Sequence, residues 1–127
     1  MNRLRIGLIG PGAIGETHAR AIRALDDTVL SAIAGGTPVQ IAACMNGEDV
    51  PAFATTEAML ANAGIDAVVV CTPSGAHHDV ALAAIEAGRH VLVEKPLCVD
   101  PAEAASLVRA AERSQLSIRV SRSTFLR

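Results

Sequence analysis

Aromatic residues are scarce in this chain of 127 residues: they make up 2% of it, and tryptophan and tyrosine are missing. A basic surplus is missing as well, since the formal net charge is −2 and the isoelectric point is about 6.0. Nucleic-acid binding generally depends on a basic surface and on aromatic side chains that stack on bases. The composition therefore argues against a nucleic-acid partner.

Cysteine is also rare, and Cys44, Cys71 and Cys98 form no Cys-x-x-Cys pair. An odd number of cysteines without paired spacing is not typical of a disulfide framework or a zinc site, so no metal is predicted. No run approaches the ~18 apolar residues that a transmembrane helix needs. Glycines interrupt the apolar stretch after the charged N-terminus too early for a secretory signal. These absences predict a cytoplasmic protein without a membrane partner.

What the chain does contain is apolar material in an alternating pattern. Half of the residues are hydrophobic, mostly small and aliphatic, which suits helices packed closely on a parallel sheet. Short apolar runs alternate with stretches of helical spacing, so the sequence predicts a Rossmann-type doubly wound α/β fold. The predicted strands are 4–9, 29–34, 52–54, 67–71, 90–94 and 116–120, and the predicted helices are 13–25, one starting at 38, 56–63, 76–87 and 101–115.

Two helix starts and one sheet edge have specific signals. Thr37 followed by Pro38 and Gln40 matches a capping box with proline at the first helical position. Asp100, followed by proline and then glutamate, predicts a second start of the same kind. The last strand alternates apolar and polar residues and contains Arg119, and charge in a strand is a common protection of a sheet edge.

A glycine motif follows the first predicted strand directly. It consists of Gly10, Gly12 and Gly15, with Ala13 and Ile14 between the last two, and it opens the first predicted helix. In a strand–turn–helix unit this pattern lets the backbone approach a pyrophosphate at a helix N-terminus. The motif therefore predicts a site for NAD or NADP, and a tight turn without a ligand is the alternative.

The acidic residue that would bind the adenine ribose at the end of the second strand is missing. Gly35 stands in its place, followed by Gly36 and Thr37, and no arginine lies between Arg23 and Arg89. Loss of the acid removes a repulsion against a 2′-phosphate, and the Thr37 hydroxyl at a helix start could meet that phosphate. The pattern thus favours NADP slightly over NAD.

Three motifs in order make the sequence resemble one family, the glucose–fructose oxidoreductase and inositol dehydrogenase family, known as Gfo/Idh/MocA. The resemblance spans nearly the whole chain. It rests on the glycine motif with His18, on Cys71-Thr72-Pro73-Ser74 with His77, and on Gly88-Arg89-His90-Val91-Leu92-Val93-Glu94-Lys95-Pro96.

The resemblance implies hydride transfer between NAD(P) and a hydroxyl carbon of a sugar, a polyol or a related compound. It makes Lys95 the catalytic residue, which polarises the reacting hydroxyl or relays its proton. Thr72, Pro73 and Glu94 would lie along the cofactor, and Cys71 and His77 would belong to the cofactor loop. Lys95 could also be a solvated lysine at a strand end. His18 is interpreted as a packing or hydrogen-bonding residue.

Members of the family continue into a second α/β domain that binds the substrate, and this chain stops where that domain would begin. The expected organisation is a dinucleotide-binding domain over 1–120 and a short tail over 121–127, with the substrate domain absent. Two hypotheses follow: the cofactor domain of an oxidoreductase, which needs a second domain or partner for turnover, or a non-catalytic module that binds dinucleotide or dimerises. Homo-oligomerisation is expected because sheet surface would otherwise be exposed.

Overall fold

A parallel sheet of six strands forms the centre of the structure, a computed structural model that describes residues 3–62, 64–95 and 100–121. The strand order is β3-β2-β1-β4-β5-β6, and every neighbouring pair is parallel. This confirms the predicted doubly wound α/β class. The strands are β1 (Leu4–Ile9), β2 (Thr28–Ala34), β3 (Ala52–Phe53), β4 (Ala67–Val70), β5 (His90–Glu94) and β6 (Ile118–Ser121).

Five helices connect these strands, and they pack on both faces of the sheet. They are α1 (Ala13–Ala24), α2 (Pro38–Met45), α3 (Thr56–Asn62), α4 (His77–Glu86) and α5 (Pro101–Ser114), and a single 3-10 turn, Ser74–Ala76, precedes α4. One core joins α1 and α2 to the sheet, and a second core joins α3, α4 and α5 to the other face. No helix in the described ranges is long and apolar enough to cross a membrane.

Alternation along the strands decides which face each side chain takes. In β5, Val91 and Val93 belong to the core shared with α4 and α5, whereas Leu92 packs against the core shared with α1. Val69 in β4 likewise lies in the α1 core, between two residues of the other core. This period of two is what a strand covered on both faces requires. It places the side chain of Glu94 on the α1 side.

Both predicted helix starts are confirmed. Thr37 and Gln40 form the reciprocal capping box of α2, with Pro38 at the first helical position. The Asp100 carboxylate accepts a hydrogen bond from the N–H of Ala102 at the start of α5. These caps satisfy N–H groups that helix ends leave without intrahelical partners.

Strand boundaries agree closely with expectation except at β6. The bounds of β1 and β5 are those predicted, whereas β6 begins at Ile118 instead of 116. The reason is local: Gln115 ends α5 in the left-handed region, with φ 58°, and the N–H of Leu116 still bonds to the Ala111 carbonyl of the helix. β6 is an edge strand as predicted. The predicted boundary between the dinucleotide-binding domain and the tail, at 120 and 121, falls inside β6. Residues 122–127 of the tail lie outside the described ranges.

Candidate functional site

The glycine loop lies where the strand order reverses, between the carboxyl ends of β1 and β4. Gly10 has φ +91°, and a Cβ there would lie 2.8 Å from the carbonyl carbon of Cys71. A Cβ on Gly15 would lie 2.5 Å from the Gly10 carbonyl oxygen. Both distances are far below van der Waals contact, so packing within the protein alone explains these two glycines.

Gly12 differs from its neighbours because nothing in the protein requires it to be glycine. Apart from Gly12 itself and its two chain neighbours, no described residue has an atom within 4 Å of the position its Cβ would take, and its φ of −83° suits any residue. Gly12 is the N-cap of α1 and supplies no side-chain hydrogen bond to the first turn. The start of α1 is therefore open to an anion from outside the chain.

A cavity of about 600 Å³ opens at this loop and runs along the carboxyl ends of four strands, β1 to β4. Six predicted site residues line it: Gly10, Gly12, Gly35, Cys71, Thr72 and Pro73. The other predicted site residues, Ala13, Ile14, Gly15, Thr37, His77, Glu94 and Lys95, are outside the lining. None of the lining residues carries a charged side chain.

Part of the lining was not predicted from the sequence. Gln40 and the segment 54–56, which follows β3, complete the cavity opposite the β4 loop. The predicted third strand could have pointed to this segment, because the carboxyl ends of parallel strands meet at one edge. Gly36 was not assigned a role either; a Cβ there would lie 2.4 Å from the Pro11 ring, so it keeps Pro11 buried beneath the loop.

The β2 end of the cavity is neutral and open. Gly35 has φ +82°, and no described atom lies within 4 Å of the place for its Cβ. The Thr37 oxygen accepts a hydrogen bond from the Gln40 N–H at 3.2 Å, and the Gln40 side chain accepts one from the Thr37 N–H at 3.0 Å. The cap thus uses two N–H groups of the helix start, while the Thr37 hydroxyl keeps a proton to donate.

The β4 end of the cavity contains a buried hydroxyl. Thr72 Oγ1 is one of two buried side-chain atoms in the described ranges that have no hydrogen-bond partner. A ring nitrogen of His77, whose side chain is buried, lies 2.6 Å from the Thr72 carbonyl oxygen and fixes this loop. Burial raises the pKa of the neighbouring Cys71 thiol to about 12, with a smaller contribution from Glu94. Cys71 is thus a neutral wall residue.

At the end of β5, a buried acid and an exposed lysine are adjacent. The Glu94 carboxylate lies 2.5 Å from His18 Nε2, and only 10% of the Glu94 side chain is exposed. Lys95 follows directly and is exposed. His18 therefore has the hydrogen-bonding role that the sequence indicated. No group of three or more metal-binding side chains occurs in the part of the chain that the structure describes.

The family profile described as "Oxidoreductase family, NAD-binding Rossmann fold" (GFO_IDH_MocA) matches residues 4–121, from the start of β1 to the end of β6. The chain belongs to this family. The matching part of the family is its NAD-binding Rossmann fold, as the three motifs indicated.

Curated relatives include several inositol dehydrogenases. The chain is 40% identical over 110 residues to the inositol 2-dehydrogenase of Cereibacter sphaeroides, covering 86% of this chain and 33% of that protein. It is 38% identical over 97 residues to the inositol 2-dehydrogenase of Rhizobium meliloti, covering 76% and 29%. The chain thus spans about a third of the length of these relatives.

Solved structures of similar proteins carry dinucleotides. The scyllo-inositol dehydrogenase of Lactobacillus casei with NAD(H) and scyllo-inositol has a TM-score of 0.87 and 27% identity, covering 94% of this chain and 36% of that one. The WlbA dehydrogenase of Bordetella pertussis with NADH and UDP-GlcNAcA has a TM-score of 0.88 and 30% identity, covering 98% and 39%.

Proposed function

We propose that this domain binds NAD(P) in the cavity at the glycine loop and that, with a substrate-binding partner or domain, it supports hydride transfer to or from a sugar or polyol hydroxyl carbon. The observation that carries the proposal is Gly12. Its place in the motif has no explanation inside the protein, whereas a pyrophosphate that approaches the start of α1 explains it.

The residues present fit the cofactor. No lining residue carries a charge that would repel the dinucleotide. The N-terminus of α1 offers N–H groups and a partial positive charge to the pyrophosphate. The adenosine half would lie toward Gly35 and the end of β3, and the nicotinamide half toward Thr72 and the end of β5. The Thr72 hydroxyl, which has no partner in the described protein, would then donate to the cofactor.

Lys95 is the proposed catalytic residue because it follows β5 directly, on the nicotinamide side. The bound nicotinamide supplies hydride exchange with the substrate carbon. Lys95 would hold the substrate oxygen: as the amine it would accept the hydroxyl proton when the carbon is oxidised, and as the ammonium it would return that proton when the carbon is reduced. Its exposure leaves it accessible to a substrate brought by a second domain.

Within this proposal NADP is slightly favoured over NAD. Neither acid nor arginine lines the β2 end of the cavity, so an added 2′-phosphate meets no repulsion, and the Thr37 hydroxyl is nearby as a donor. Because no arginine is present, we expect direct charge pairing to contribute less to binding of the 2′-phosphate than it does in sites that use arginine. Calorimetric dissociation constants for NADH and NADPH measure this preference, and a clear preference for NADH would contradict it.

The decisive test of the site compares two glycine variants. Gly12→Val keeps the fold because its Cβ enters open space, but it weakens NAD(P)H binding by at least about tenfold because the side chain blocks backbone approach. Gly15→Ala instead lowers the free energy of unfolding by roughly 1–3 kcal/mol through overpacking against Gly10. Calorimetric binding and urea unfolding measure the two effects, and unaltered affinity in Gly12→Val would contradict the site.

A binding module without catalysis is the second candidate, favoured by the fact that Lys95 is not among the residues that line the cavity. Turnover separates the candidates. The purified chain is assayed with NAD and NADP against a panel of polyols, alone and with a substrate-domain partner. Turnover supports the oxidoreductase, whereas binding without turnover in either case supports the module.

The proposal extends to the setting in which the domain works. The thiols Cys44 and Cys71 are free, which suits a reducing compartment, so we place the protein in the cytoplasm. A self-association surface is also proposed. An apolar groove of about 220 Å³ runs over β1, β4, β5 and β6, with Leu4 and Leu92 in its lining. Parallel sheets are generally covered on both faces, and a second copy of the chain would cover the part of the sheet that this groove leaves open.

A further inference from the structure

The contact between His18 and Glu94 connects the two ends of the candidate site. His18 lies in the first turns of α1, the helix that starts at the glycine loop, and Glu94 is the last residue of β5. In the sheet, β4 separates β1 from β5. The side-chain contact therefore joins the helix that follows β1 to a strand that is not a neighbour of β1 in the sheet.

Burial makes this contact strong. The side chains are 18% and 10% exposed, and 2.5 Å separates Nε2 of the histidine from the carboxylate oxygen. A carboxylate that has lost most of its water needs hydrogen-bond donors in compensation. His18 can supply such a donor from Nε2. Val70 of β4 lies beside Val93 of β5 in the parallel register, so Glu94 follows next to the end of β4.

We propose that His18 is a positioning residue: through Glu94 it fixes the end of β5, and therefore Lys95, relative to the helix that receives the pyrophosphate. Both ends of the dinucleotide would then be held in one geometry. This inference rests on the proposed function for its ligand, although its first test below needs no ligand. His18 itself is not among the residues that line the cavity.

The sequence offers an unusually selective probe, because Lys95 is the single lysine of the chain. Protein labelled with [15N]lysine alone gives one backbone amide signal, which reports on the residue next to Glu94. We expect His18→Ala to shift this signal and to speed its hydrogen exchange by about tenfold, the effect of losing one charge-assisted hydrogen bond. Exchange of β1 amides, followed in uniformly labelled protein, should change much less.

Two variants make the result specific. His18→Gln, which keeps an N–H donor, should restore most of the wild-type exchange. His78→Ala is the matched control, because its side chain is also 18% exposed and pairs with an acid, Asp79, of its own helix; it should leave the Lys95 signal unchanged. An unaltered Lys95 signal in His18→Ala, or equal acceleration in β1 and at Lys95, would overturn the proposal.

The second measurement uses ligands of two lengths. ADP reaches only the loop and the β2 side, whereas NADH extends to the end of β5. Calorimetry on His18→Ala should give NADH binding weakened by about fivefold to tenfold and ADP binding changed by less than about twofold. Equal losses for both ligands would indicate a merely structural role and count against positioning.

The two proposals fail differently. If wild-type protein binds neither NADH nor ADP, the proposed function is wrong, and the exchange of the Lys95 amide alone decides whether His18 positions β5. If binding is normal and the Lys95 amide does not respond to His18→Ala, the positioning role is wrong and the dinucleotide site stands. If His18→Ala does not fold, Glu94→Gln, which keeps the size of the side chain, takes its place in both measurements.

Discussion

At the scale of single residues, the three glycines of one motif serve different purposes. Gly10 and Gly15 are required by close contacts inside the domain, whereas a side chain at Gly12 would enter open space. A motif match alone does not distinguish these cases, because all three are the same letter in the sequence. The distinction matters for experiment. Of these three glycines, only Gly12 can be substituted without a close contact inside the domain, so an effect on binding there can be measured apart from an effect on folding.

Gly35 offers a direct test of cofactor preference. Gly35→Asp should restore the missing acid at the end of β2, where space is available and where aspartate tolerates positive φ better than most residues. We expect the ratio of NADPH to NADH affinity to fall by an order of magnitude or more, because the carboxylate repels a 2′-phosphate and bonds to ribose hydroxyls. Calorimetry with both cofactors measures the ratio; Gly35→Asn, without the charge, should change it much less.

At the scale of elements, Arg5 and Asp66 tie β1 to the start of β4. The guanidinium contacts both carboxylate oxygens, at 3.2 and 2.9 Å, and the Arg5 N–H donates to the same carboxylate. The hydrogen bonds from Arg5 lower the pKa of Asp66 from 3.8 to about 2. The pair is exposed to solvent, so its contribution to stability is modest and falls with salt.

The sign of the pH dependence follows from this lowered pKa. Asp66 binds a proton more easily in the unfolded chain, so its contribution is complete above about pH 4 and is lost as the pH falls toward 2. Asp66→Asn should therefore show a shallower decrease in the free energy of unfolding between these pH values than the wild type. Urea unfolding at several pH values measures the slopes. Identical slopes would show that the contact does not contribute.

Most elements could be predicted because their signals are local. The capping box at Thr37 and the β-branched run of β4 depend only on neighbouring residues. The predicted start of β6 was two residues too early, because the left-handed end of α5 at Gln115 has no glycine to mark it in the sequence. The contact between His18 and Glu94 could not be predicted either, because 76 residues separate the partners and only the strand order brings them together.

At the scale of the whole molecule, the groove over β1, β4, β5 and β6 has the largest consequence. We expect a dimer or higher oligomer in size-exclusion chromatography with light scattering, because association covers the apolar sheet face. Leu4→Arg, which places a charge at an exposed position of the groove, should shift the protein toward monomer. A wild-type monomer at high concentration would contradict the prediction, and Val39→Arg, on an exposed side chain of α2, serves as the control.

The sequence by itself determined the alternation of strands and helices, the family and the glycine loop, because each depends on short-range patterns of polarity, size and turn residues. Tertiary structure decided which of the predicted site residues line the cavity, and that segment 54–56 joins them. It also decided that Glu94 turns toward α1 while Lys95 is left exposed. These outcomes follow from strand order and from the alternation of side chains across a sheet, which set distances between residues far apart in the chain.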